Sequence, residues 1–131
     1  MEVEKALDVQ QRIEKIIDAL RPKGINQFRI ICMRSRGSSS RAYARIWSMP
    51  KIWQKALDIG TFYVIEVLSE RFDGLSDEDK TKVLIHELMH IPQTFSGALL
   101  SHGHRGGRGD WEREVEMLYR EYSSRVRYMN K

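Results

Sequence analysis

A chain of 131 residues and 15.4 kDa has the size of one domain, and 41% hydrophobic with 31% charged residues argues against wholesale disorder. The lone Cys32 excludes an intrachain disulfide and a thiolate metal cluster, no apolar run nears the ~20 residues of a membrane helix, and the start Met-Glu-Val-Glu-Lys lacks a signal-peptide pattern. The net charge of +4 is uneven, residues 23–58 holding eight basic side chains against one acidic, and the expectation is a cytoplasmic, single-domain protein over residues 1–131.

Taken in chain order, residues 2–20 set Val3, Ala6, Leu7, Ile13, Ile16, Ile17 and Leu20 at helical spacing, and Pro22 and Gly24 stop that helix. Phe28 to Met33 reads as a strand, Arg34 to Arg41 as a turn, and Ala42 to Trp47 as a second strand, which together suggest a hairpin with a basic tip. Pro50 opens a short helix, Lys51 to Leu57, closed by Gly60. Thr61 to Leu68 is the clearest strand. Ser76, with Asp79 three residues on, is a capping pair that starts a helix running through His86 and His90 to about Ile91, where Pro92 ends it. Residues 93–109 read as a glycine-rich loop. Asp110 then caps a last helix with Trp111, Val115, Leu118, Tyr122 and Val126 on one stripe.

His86-Glu87-Leu88-Met89-His90 is the pattern H-E-x-x-H on a helix. Imidazoles four residues apart lie ~40° apart around the axis and one turn along, so both can reach one ion. Glu87 sits on the flank of that face, too poorly aimed for a ligand and well placed to act on a water as general base. A three-ligand zinc site needs one more donor. His102 and His104 follow in the glycine-rich loop, and Glu112, Glu114 and Glu116 on the last helix are a second set, read first as a solvated acidic face. An all-histidine site is preferred. The group that steadies the oxyanion is left among Tyr119, Tyr122, Arg105 and whichever of His102 and His104 is not a ligand.

From about Ala42 to Tyr122 the chain resembles the putative phage metallopeptidase family, a zincin-like group found in viruses and archaea. The likeness is carried by residues 83–92, by Thr94-Phe95-Ser96-Gly97, and by His102-Gly103. More distantly it is similar to SprT-like proteases, which share H-E-x-x-H and a later histidine in a glycine-containing loop. The resemblance implies an α+β, zincin-like fold with an N-terminal helix, a small twisted sheet, an active-site helix and a closing helix. It implies His86, His90 and His102 as ligands of Zn2+, and Glu87 as the catalytic base of a zinc metallopeptidase that cuts peptide bonds. In such folds a strand near the cleft holds the extended substrate, and Thr61 to Leu68 is the expected one because it directly precedes the active-site helix.

The expected partner is a peptide or protein substrate, with no membrane involved. The alternative partner is nucleic acid, bound through the basic stretch Lys23 to Lys55 by a module with a structural zinc or by a SprT-like protease acting on DNA-bound proteins.

Overall fold

The computed structural model describes residues 1–105 and 107–129, with the side chains of His104 and Arg105 outside the description. The fold is α+β, as the sequence implies, and agrees with a small zincin-like domain. Four strands form one mixed sheet: β1 (Glu2–Lys5), β2 (Ile30–Arg36), β3 (Ala44–Trp47) and β4 (Tyr63–Leu68). Their spatial order is β1-β2-β4-β3. The helices are α1 (Leu7–Leu20), α2 (Lys51–Leu57), α3 (Ser69–Phe72), α4 (Asp77–Leu88) and α5 (Arg108–Met129).

Three elements differ from the sequence reading. The expected helix over 2–20 is a strand followed by a helix, because Glu2 to Lys5 pair antiparallel with Met33 to Arg36 before α1 begins. Where β1 stops, Gln10 takes over: its amide donates to the Ile30 carbonyl at 2.8 Å and accepts from the Cys32 N–H at 2.8 Å. The edge of β2 is thus satisfied by a side chain of α1, which fixes that helix against the sheet. The second difference is the expected hairpin. β4 lies between β2 and β3, parallel to β2 from Ile30↔Tyr63 and antiparallel to β3 from Ala44↔Val67. Of the stretch read as a turn over 34–41, residues 34–36 continue β2, and 37–43 form a crossing connection and not a tight turn. The strand read over 28–33 also shifts: residues 27–29 form a 3-10 turn capped by Asn26, which accepts from the Phe28 N–H at 3.0 Å.

One face of the sheet carries the core. Ile30, Cys32, Tyr63, Ile65 and Val67 meet Val9, Ile13, Ile16 and Ile17 of α1 and Leu84, Ile85 and Leu88 of α4 in one buried cluster. Each fully buried aliphatic side chain is worth about 1.5–3 kcal/mol of transfer free energy. Burial pushes the Cys32 thiol up to about 12, so it is inert filling in this core. Among the described residues, no helix is long and apolar enough to cross a membrane.

On the opposite face Glu66 is buried and fully engaged. It accepts from Arg45 Nε at 2.8 Å, Arg45 Nη2 at 3.3 Å and Trp47 Nε1 at 2.8 Å, locking β3 to β4. The Arg45 hydrogen bonds draw its carboxyl down to about 2 against the upward push of burial. A depressed folded value gives stability that is complete above the unfolded carboxyl range and is lost as pH falls through about 2. Urea unfolding of the metal-free protein between neutrality and acid should therefore show a loss of about 2–3 kcal/mol that is missing in Glu66→Gln. The same acid loss in the variant would show that other carboxyls carry it.

Candidate metal centre

Helix α4 starts as its sequence dictates, the Ser76 side chain accepting from the Asp79 N–H at 3.1 Å. Arg12 of α1 fastens this end by an ion pair with Asp77 at 2.7 Å. The regular helix ends at Leu88, before the expected Ile91, because the turn tightens: the His90 N–H donates to Glu87 and the Ile91 N–H to Leu88, at 3.1 and 3.0 Å. His86 stands on the last full turns of α4 and His90 just beyond them, while His102 enters on a 3-10 turn over His102–Arg105.

The structure brings these three imidazoles together. Their ligand-capable nitrogens lie within 4.8 Å of one another, and His102 Nε2 is 3.0 Å from His86 Nε2. His90 Nδ1 is 2.6 Å from the Leu100 carbonyl oxygen, so Nδ1–H donates there and Nε2 is left as the free lone pair. The Leu100 N–H donates back to the His90 carbonyl at 2.7 Å, clamping helix end and loop together. Fully buried Trp111 forms the floor, its ring centroid 4.6 Å from that of His90 and 4.9 Å from that of His102. Burial, then the neighbouring His90 and His102, pull the His86 imidazole down to about 4, and burial lowers His102 as well. Both are neutral donors at pH 7.

Glu87 adjoins this cluster and is 7% exposed, with Oε2 lacking a hydrogen-bond partner among the described residues. Burial alone pushes its carboxyl up to about 8. A buried carboxyl with one oxygen unmatched, beside three converging imidazoles, fits a divalent transition metal, for which imidazole is a suitable ligand. No glutamate of α5 joins the donor cluster among the described residues. Glu112 and Glu116 instead line the adjoining cleft, where Glu116 pairs with Lys82 at 2.8 Å. The alternatives His104 and Arg105 lie outside the described side chains. Tyr122 is buried, and Tyr119 sits under the Lys82 ammonium, 5.1 Å from its ring centroid. Neither tyrosine lines the cleft.

That cleft, about 1190 Å³ in volume, runs between Ala42–Ala44, α4 and the first half of α5. Its wall holds Lys82, Arg108, Arg113 and Arg120. Lys82 is held by Glu78 and Glu116, and Arg113 is paired with Asp110. Arg108 is the cleft cation whose charge contributes to lowering both His86 and His102. In the sequence Arg108 reads only as a basic residue of the glycine-rich loop available to nucleic acid, and no spacing signal ties it to the histidines. Three of the eight basic side chains of residues 23–58 are held in ion pairs of the fold: Arg34 pairs with Asp8 and Asp73, Arg36 with Glu4, and Arg45 with Glu66, at 2.8–3.0 Å.

The return of the chain from His90 to His102 depends on Tyr63 of β4. Its hydroxyl donates to the Ala98 carbonyl at 2.8 Å and accepts from the Gly97 N–H at 2.9 Å, and Phe95 packs edge-on against its ring at 5.0 Å. Gly97 has φ +96, and a Cβ there would come within 2.6 Å of Gln54 Nε2. Tyr63→Phe should leave the three imidazoles in place but weaken metal binding about 10–100-fold, the usual cost of losing a group that orients a ligand. Competition titration with a chromophoric chelator measures this, and unchanged affinity would show that the loop holds without the phenol.

No curated protein and no solved structure matches the chain. A family model described as Putative phage metallopeptidase matches residues 1–127, and so takes in β1 and α1 as well as the part whose likeness is legible from Ala42 onward. With nearly its whole length matched, the chain belongs to the Putative phage metallopeptidase family.

Proposed function

We propose that residues 1–131 form a single zinc-dependent endopeptidase domain. The observation that carries this reading is the convergence of three imidazoles within 4.8 Å beside a buried, half-unmatched carboxyl at the wall of an open cleft. His86, His90 and His102 would hold the metal. When bound, zinc supplies Lewis acidity that polarises a scissile carbonyl and lowers the pKa of a coordinated water toward ~7.

The other roles belong to the chain's own groups. Glu87 takes the proton of the attacking water at Oε2 and returns it to the leaving amine. Its raised value of about 8 reflects burial, and positive charge beside it restores the carboxylate form near neutrality. Trp111 seals the inner side of the site and excludes water from the imidazoles. Arg108, unpaired among the described residues, is the cation available at the metal end of the cleft to steady negative charge on the carbonyl oxygen.

The substrate strand differs from the one expected. β4 is paired on both sides, with β2 and β3, and has no free edge. β3 is the edge strand beside α4, and Tyr43 and Ala44 at its start line the cleft. An extended peptide pairing with β3 would lie across the face of α4 that carries His86 and Glu87.

Glu87→Gln should keep one zinc per chain and abolish peptide cleavage, whereas His102→Ala should lose zinc and cleavage together. Arg108→Ala should lower kcat by about 10–100-fold with KM less affected. Metal analysis alongside cleavage of an unstructured protein such as casein tests the set. Loss of zinc in Glu87→Gln, or full turnover without zinc, would overturn the assignment.

A further inference from the structure

The sheet has one end at which β2 and β4 begin and β3 stops, and that end is apolar and uncovered. Phe28, Trp47, Ile52, Trp53, Leu57 and Ile59 gather there, each between 43% and 85% exposed. α2 contributes three of them and buries no residue of its own, so its apolar side faces solvent. Placement follows from the pairing and the chain: Trp47 opposes Val64, Ile59 lies four residues before Tyr63 at the start of β4, and Phe28 lies two residues before Ile30 at the start of β2. Arg29 closes the gap between them, its guanidinium 5.0 Å from the Phe62 ring centroid and against Gly60. Six large apolar side chains in one place are more than the scattered singles that an ordinary surface carries.

Charge says what would cover this patch. Arg29, Lys51 and Lys55 stand within it, none of them in an ion pair among the described residues, and Asp58 is the one carboxylate of α2 and its cap. A second copy of the chain would bring the same cations against these. The fitting partner is apolar and acidic. Position narrows it further, because β3 joins the two surfaces: Ala44 at its start lines the cleft, and Trp47 at its end lies in the patch. Four strand residues span about 13 Å, so a polypeptide held along β3 reaches α2 within a few residues of the cleavage point.

We propose that the α2 end of the sheet is a docking site for an apolar, acidic segment of the polypeptide substrate, adjoining the cleft along the β3 edge. This rests on the peptidase reading. Docking supplies affinity away from the reacting bond, so it appears in KM for substrates long enough to reach it.

The test uses the zinc-loaded full chain and two fluorogenic peptides, one unextended and one carrying a leucine–glutamate repeat at either end. The extended peptide should have a kcat/KM about tenfold higher, carried by KM, and a leucine–lysine repeat should give no gain. In Trp53→Ala/Leu57→Ser, two exposed positions, the ratio between the peptides should fall to about one. The second readout is tryptophan emission of Glu87→Gln, which should shift to the blue with the leucine–glutamate peptide and not with the lysine one. Equal rates and equal emission for all peptides would overturn the proposal. So would sedimentation with mixed phosphatidylcholine–phosphatidylserine vesicles without any response to peptide, which would assign the patch to a membrane surface. An emission shift with no cleavage of any peptide would instead leave the docking site standing and overturn the peptidase reading.

Discussion

The site depends on a reversal of the chain between His90 and His102, and that reversal is held by a buried phenol. Tyr63 reaches out of the central strand β4 to a carbonyl and an N–H of the loop at 2.8 and 2.9 Å. Two residues further on, Leu100 is bonded in both directions to His90. The strand that anchors the sheet thus fixes the loop, the loop fixes the tautomer of one imidazole, and the same loop delivers the third. Rigid support of this kind would let the three imidazoles take an ion without first being ordered by it.

The sheet order has equal consequence for function. With β4 inside and β3 outside, the edge available for a partner runs past the cleft and ends at the exposed face of α2. The pairing of Arg45 and Trp47 with Glu66 keeps that short edge strand in register. The arginines that look in sequence like a surface for polyanions mostly bridge elements of the fold, Arg34 tying α1 and α3 to the sheet through Asp8 and Asp73.

What was legible in the sequence was local. The capped start of α4, the spacing of His86 and His90, and the apolar stripe of α5 are written within a few residues and survive folding nearly unchanged. The choice of His102 came from family likeness, and among the described residues its imidazole is grouped with those of His86 and His90. What failed was decided at a distance. No short-range pattern says that β4 inserts between β2 and β3, and a hairpin is the default for two neighbouring strands. Glu2 to Lys5 is a strand only because β2 offers it an edge. Tyr63 and Trp111 have the spacing of core residues and are core residues, so their part in shaping the metal centre has no sequence signal of its own.

The central claim is that three imidazoles hold one metal and leave a position open for chemistry. X-ray absorption at the zinc edge of the zinc-loaded protein tests it most directly. The account predicts the scattering signature of three imidazoles with one further oxygen ligand, as in an open catalytic site. A fourth imidazole, or a carboxylate in place of one of the three, would contradict it.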